Sequence, residues 1–93
     1  MAGEAKFEKR LIDHAAKFGW WTKKLVAADR TGDPDRLFLR KGRVVFLELK
    51  DKDERPERKQ LRRMDDIRKH GGDVHWTDNF EAACDILDIP HRC

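Results

Sequence analysis

Two short apolar runs, Leu37–Leu39 and Val44–Leu49, stand close together with Lys41-Gly42 in the middle of the gap. Both are rich in β-branched or aromatic residues, so each reads as a strand, and Lys41-Gly42 reads as the turn of a β-hairpin. A two-residue turn sets Arg40 opposite Arg43, and a four-residue loop from Arg40 to Arg43 keeps the same register. In that register Asp35 faces Glu48, with Cβ atoms about 4.5–5.5 Å apart. Side chains alternate along a strand, so Lys50 shares the face of Glu48 and Asp35. Two carboxylates and an ammonium thus converge at one end of the hairpin. Like charges directly opposed are destabilising unless something sits between them, and a divalent cation would. The plainer reading of any Glu-x-Lys is a solvated strand end. Here, however, Glu48 follows Val-Val-Phe-Leu, a run apolar on both faces that marks a central strand. A three-residue loop would shift the register by one and undo the pairing.

The rest of the chain supplies elements to pack on this hairpin. Phe7, Leu11, Ala15 and Phe18 recur at helical spacing, which predicts a helix from Glu4 to about Phe18, stopped by Gly19. Glu8 flanks that apolar stripe and can reach inward, with Glu4 one turn earlier; alternatively both are first-turn acids complementing the helix dipole. Trp20–Ala27 reads as a strand in which the adjacent tryptophans face opposite sides. One then packs in the core, and the other is left for an interface or for stacking on a nucleobase. Ala28–Pro34 is a loop, with turn residues Asp29, Thr31, Gly32 and Asp33, and Pro34 stiffens the backbone just before Asp35. Asp51–Arg55 is a charged linker. Pro56 opens a helix that runs to about His70 and stops at Gly71-Gly72, with Leu61, Met64 and Ile67 as its buried stripe and Gln60 at the border. Asp73–Trp76 is a short strand. Asp78 and Glu81 read as a capping box for a last helix whose Phe80, Ala83, Cys84 and Leu87 face inward. The predicted order is αβββαβα.

Ninety-three residues suit one domain spanning 1–93, and 39% apolar residues permit a modest core. No apolar run approaches membrane-spanning length, and Met1–Arg10 already holds five charges, unlike a signal peptide. A soluble intracellular protein is expected. Cys84 and Cys93 make no disulfide framework or zinc spacing, and His14, His70, His75 and His91 are scattered. The net charge of +3 is uneven: residues 1–72 carry twenty basic and thirteen acidic side chains, and residues 73–93 carry one and five. The basic part suits a polyanion. On the second helix Arg58, Arg62 and Lys69 cluster with Lys59 and Arg63 beside them, which is also what a solvated face looks like, since Asp65 and Asp66 can pair with neighbours.

A helix, a three-strand meander, then a helix and a strand, with Pro34-Asp35 and Glu48-Leu49-Lys50 on adjacent strands, resembles the PD-(D/E)XK nuclease superfamily. Gly32-Asp33-Pro34-Asp35-Arg36, Phe46-Leu47-Glu48-Leu49-Lys50, Gln60 after Arg55-Pro56, and Phe7-Glu8 in the first helix resemble its virus-type replication-repair nuclease (VRR-NUC) family. Asp33 departs from the pattern, which more often has an apolar residue there. The resemblance implies an α/β (α+β), restriction-endonuclease-like αβββαβα core with a mixed sheet flanked by helices. It implies that Asp35, Glu48 and the backbone carbonyl of Leu49 hold Mg²⁺ or Mn²⁺, with Glu8 approaching directly or through water. Lys50 would position or activate the attacking water or stabilise charge on the phosphate, and Gln60 would support the site. Candidate DNA contacts are Lys24, Arg36, Arg58, Lys59, Arg62 and Arg63.

These residue types suit the chemistry. Mg²⁺ is a hard ion that takes oxygen ligands and keeps several waters, so one or two carboxylates leave room for a phosphate oxygen. A neighbouring Lys adds positive charge without occupying a coordination position. The resemblance implies a metal-dependent, structure-selective DNA endonuclease. Stand-alone members of the family are virus-encoded homodimers that resolve four-way (Holliday) junctions, and members fused to other domains act on flaps. No membrane and no small-molecule cofactor is expected. The alternative is a catalytically silent nucleic-acid-binding module, or a domain that only binds protein. A homodimer would bury apolar groups left over from the core, taken to be one of Trp20 and Trp21 together with Ile86 and Ile89.

Overall fold

The computed structural model describes residues 5–26 and 32–92. Glu4, the loop residues Asp29 and Thr31, Ala27 at the end of the predicted first strand, and Cys93 lie outside the described residues. The elements are α1 (Glu8–Lys17), β1 (Trp21–Lys24), β2 (Arg36–Arg40), β3 (Arg43–Leu49), α2 (Arg58–Lys69), β4 (Asp73–Thr77) and α3 (Phe80–Ile86). This is the expected αβββαβα order. The strands form one mixed sheet in the order β1-β2-β3-β4, antiparallel from β1 to β3, with β4 parallel to β3.

The hairpin turns as its sequence requires. Lys41 and Gly42 have φ of 49° and 83°, the positive pair of a type I′ turn, which matches the twist of the flanking strands. Arg40 pairs with Arg43 and Arg36 with Leu47. One step further along, Asp35 stands opposite Glu48.

Strand alternation sorts side chains onto two faces. Phe38, Val45, Leu47 and Leu49 point to one face and join Leu11, Ala15, Trp20, Phe80, Ala83, Cys84 and Leu87 in the main core, between the sheet and α1 with α3. The Trp20 indole donates to the Leu87 carbonyl at 3.2 Å, so its polar edge is satisfied. The opposite face carries Trp21, Leu37, Leu39, Val44, Phe46 and Glu48. Here α2 covers the β4 side, where Met64 and Val74 are buried. The β1–β2 side of this face is open, and Trp21 remains 56% exposed.

Four expectations need correction. Ile89 is buried and Ile86 packs against the core, so neither is left over for a partner; the spare apolar groups are Trp21, Val26, Val44 and Leu61. Leu61 is on the predicted buried stripe of α2 but is exposed, because the helix leans on the sheet through Met64 and Ile67. The cap of α3 is Asn79, whose side chain accepts from the Ala82 amide. Asp78 instead accepts from the Asp53 amide at 2.9 Å. Finally, α2 starts two residues after Pro56, with Glu57 and Gln60 forming its capping box.

Both outer strands are guarded. Arg68 donates to the Val74 carbonyl of β4 at 3.1 Å, and β1 carries exposed Lys23 and Lys24.

Candidate active site

The β2–β3 register and the helix α2 together build the site. Asp35 Oδ2 accepts from the Leu49 amide at 2.8 Å, which fixes the carboxylate just beyond the start of β2. Glu48, 2% exposed, accepts at Oε2 from Gln60 Nε2 at 2.7 Å, and Lys50 Nζ lies 3.4 Å from the same oxygen. Gln60 is held in turn, since its Oε1 accepts from the Glu57 amide at 2.8 Å. Thus the capping box that starts α2 also aims an amide at Glu48. Glu48 Oε1 is buried and has no hydrogen-bond partner. Such an orphan is costly for a carboxylate.

The electrostatics agree with the geometry. Burial, then the Asp35 charge, push the Glu48 carboxyl up from 4.5 to about 7 against the pull of Lys50. Burial also raises Asp35, opposed by its bond to the Leu49 amide and reinforced by the Glu8 charge. Two acids that resist ionisation side by side are poised for a cation.

A cleft of about 470 Å³ opens onto this pair, lined also by Leu49, Lys50, Asp51, Glu54, Arg55, Glu57 and Gln60. Five carboxylates face two cations there, a lining that by itself disfavours phosphate. The acids Asp51 and Glu54 belong to the stretch read from sequence as a plain linker. Their role was hidden because Asp51 is tied in by distant partners: its side chain accepts from the Lys6 amide at 2.8 Å.

Glu8 is buried at the start of α1, where its charge reaches Asp35. Its Oε2 accepts from Arg36 Nη1 at 2.8 Å, and this pair is almost solvent-free, with side chains 13% and 7% exposed. Among the described residues no three Asp, Glu, His or Cys side chains form a ready-made metal cage. Asp35 and Glu48 line the cleft together and are oxygen donors of the kind a hard cation takes.

The structure divides the candidate DNA contacts. Arg58, Lys59 and Arg62 are exposed on α2. Lys24 and Lys59 line a neighbouring cleft of about 590 Å³ that shares Gln60 and Glu57 with the first. Arg36 and Arg63 are withdrawn from the expected surface role. Arg36 is committed to Glu8, and Arg63 is paired with Asp33. That second pair accounts for Asp33, which anchors the loop before Asp35 to α2 and lines the neighbouring cleft, not the one that holds Asp35 and Glu48. Gly32 completes the anchor. Its φ is +90°, and a Cβ there would lie 2.8 Å from the Lys59 carbonyl oxygen.

No family model matches the chain. A search of curated proteins found "Putative nuclease p44" of Acyrthosiphon pisum secondary endosymbiont phage 1, 40% identical over 60 residues. That match spans 63% of this chain and 64% of the relative, so less than two thirds of the relative's length is covered. Among solved structures, one titled "VRR_NUC domain" superposes with a TM-score of 0.80 at 28% identity, covering 89% of this chain and 91% of that one. The motifs, the fold and these similarities converge: the chain has the fold of a VRR_NUC nuclease domain and resembles that family in its motifs.

Proposed function

We propose that this chain is a Mg²⁺- or Mn²⁺-dependent endonuclease that hydrolyses phosphodiester bonds in branched DNA, resolving four-way junctions as a homodimer. The observation that carries this reading is Glu48 Oε1, buried without a partner on a residue that lines the cleft together with a second carboxylate, Asp35. A structural carboxylate would be satisfied by protein donors. Asp35, Glu48 and the Leu49 carbonyl would hold the cation. When bound, it would lower the pKa of water and neutralise charge developing on the phosphate.

The remaining steps belong to the chain. Lys50, with its side chain 19% exposed at the cleft, offers an ammonium to a phosphate oxygen or to the attacking water. Gln60 holds one oxygen of Glu48 and leaves the other, Oε1, without a protein partner. The exposed cations of α2 and Lys24 beside the second cleft attract the flanking backbone. Each chain supplies one such constellation, and symmetric cutting of a junction needs two, which a two-fold dimer provides. The open apolar strip Trp21–Leu39–Val44 offers surface for that contact.

The test is one incubation series with labelled four-way junction, flap and linear duplex, each with Mg²⁺, Mn²⁺ or EDTA, alongside light scattering. Paired cuts in the junction by a species of twice 11.0 kDa bear the proposal out. Cutting of flaps or single nicks by a monomer keeps the chemistry and removes the junction and dimer. DNA binding with no cutting under any metal leaves a silent binding module instead.

A further inference from the structure

A third cleft, of about 610 Å³, opens between α1, the start of α3 and the end of the chain. Its lining has the opposite charge balance to the cleft at the carboxylate pair. Lys9, Arg10, Lys17 and Arg92 stand there against one acid, Asp13. That acid is already taken up by Lys9 at 3.2 Å. His91 also lines the cleft and is held by Asp85 at 2.8 Å. None of the four cations is among the DNA contacts that the sequence suggests.

The cations are held in place from beneath. His14, 7% exposed, donates through Nε2 to the Pro90 carbonyl at 2.6 Å, which ties the end of the chain, and Arg92 with it, to α1. The Arg10 guanidinium lies over the ring of buried Phe80, 3.7 Å from its centroid. Stacking of this kind orients the guanidinium and leaves its N–H groups for an anion. Among the described residues neither Arg10 nor Arg92 has a carboxylate partner. Arg10 and Lys17 lie two turns apart on one side of α1, about 10 Å at 1.5 Å per residue. A DNA strand advances about 3.4 Å per nucleotide, so this run matches about three phosphates.

The place of the cleft in the fold decides what it is for. The sheet packs α1 and α3 on one face and α2 on the other. The cations of this cleft and those of α2 are therefore on opposite sides of the sheet. A straight duplex laid on one side has the sheet between it and the other side. Two arms that diverge from a branch can take one side each. A four-way junction offers four arms to the two protomers of a dimer, hence two arms to each.

We infer that the cleft between α1, α3 and the chain end is a second DNA-backbone site, which holds the phosphates of a second duplex arm while α2 holds the first. The phosphate contacts carry no sequence information. Two linked sites bind a branch more tightly than either binds a single duplex, so the selectivity is for shape. This inference rests on the branched-DNA reading proposed above and deepens it.

The experiment measures binding without cutting. Asp35→Asn protein in EDTA is titrated against a labelled four-way junction and a linear duplex of equal length, by fluorescence anisotropy over a range of salt. Lys17→Ala with Arg92→Ala, both exposed, is expected to weaken junction binding by about tenfold and to flatten its slope of log K against log salt by up to about 2. Duplex binding is expected to change less than about twofold, because α2 alone supplies it. Arg58→Ala with Arg62→Ala should weaken both ligands. Arg10→Leu, which keeps an apolar contact with Phe80, should reproduce the junction-selective loss, and the duplex serves as its internal control for folding. Unchanged junction affinity and slope in the Lys17 and Arg92 variant overturn the inference, and junction cutting by the wild type would then leave the proposed function standing. Equal losses on junction and duplex also overturn it, since the cleft would be part of a single groove. If the parent protein prefers no junction over duplex, the branched-DNA reading fails and this inference fails with it.

Discussion

Replacing Glu48 by Gln removes the charge that the fold pays most to bury. The carboxyl moves from 4.5 to about 7 on folding, so the native chain holds this proton more tightly than the unfolded chain does. The sign follows from linkage. The stabilisation is fully present below pH 4.5 and is lost as pH rises through about 7. At about 1.4 kcal/mol per pH unit the loss is about 3 kcal/mol, which we discount to about 2 kcal/mol because the cleft admits water. The Gln side chain keeps an oxygen for Gln60 and replaces the unpartnered Oε1 with an amide that carries no charge against Asp35. Metal-free Glu48→Gln is therefore expected to melt about 10 °C higher than the wild type at pH 8, taking roughly 4–8 °C per kcal/mol for a domain of this size. At pH 4 the two should coincide. The assay is a pair of thermal melts in EDTA from pH 4 to 8. With saturating Mn²⁺ the order should narrow or reverse, since only the wild type gains from binding. A variant that melts below the wild type throughout, with no convergence at low pH, would refute the reasoning and make Glu48 a structural acid.

Lys50→Ala is expected to lose cleavage while keeping Mn²⁺ affinity, because an ammonium repels a cation and ligates none; calorimetry alongside a cleavage assay checks this. Arg58→Ala with Arg62→Ala, both exposed, should weaken DNA binding and reduce the slope of log K against log salt by up to about 2, read with an Asp35→Asn background. Gly32→Ala should cost about 2–4 kcal/mol, from the left-handed backbone and the clash with the Lys59 carbonyl, and should lower activity by shifting Asp35; chemical denaturation and a cleavage assay measure the two effects.

The hairpin and its acid pair were legible because two local rules sufficed. A Lys-Gly turn fixes the register, and alternation then fixes the faces. Helices with a strong apolar stripe were legible for the same reason, to within a few residues at their ends. What escaped depends on partners far apart in sequence. Arg36 reads as one more surface cation until α1 is seen to bring Glu8 against it across 28 positions. Asp33 reads as an extra acid at the site until Arg63, 30 positions on, takes it up. The exposure of Leu61 and the burial of Ile89 depend on how α2 leans and how the end of the chain folds back, and no periodicity contains either.

The guarded edges of the sheet restrict how two copies can join. With Arg68 on the Val74 carbonyl at one margin and adjacent lysines at the other, both margins disfavour a fifth strand, and with it a continuous eight-stranded sheet across two chains. The uncovered half beside Trp21 is then the surface a two-fold assembly would favour. The candidate clefts lie at the other end of the β2–β3 hairpin from Trp21, so under the proposed function the spacing between the two cuts would be set by side-chain packing across the seam. Resizing Trp21 would then move the cut sites relative to the branch point without touching a catalytic group.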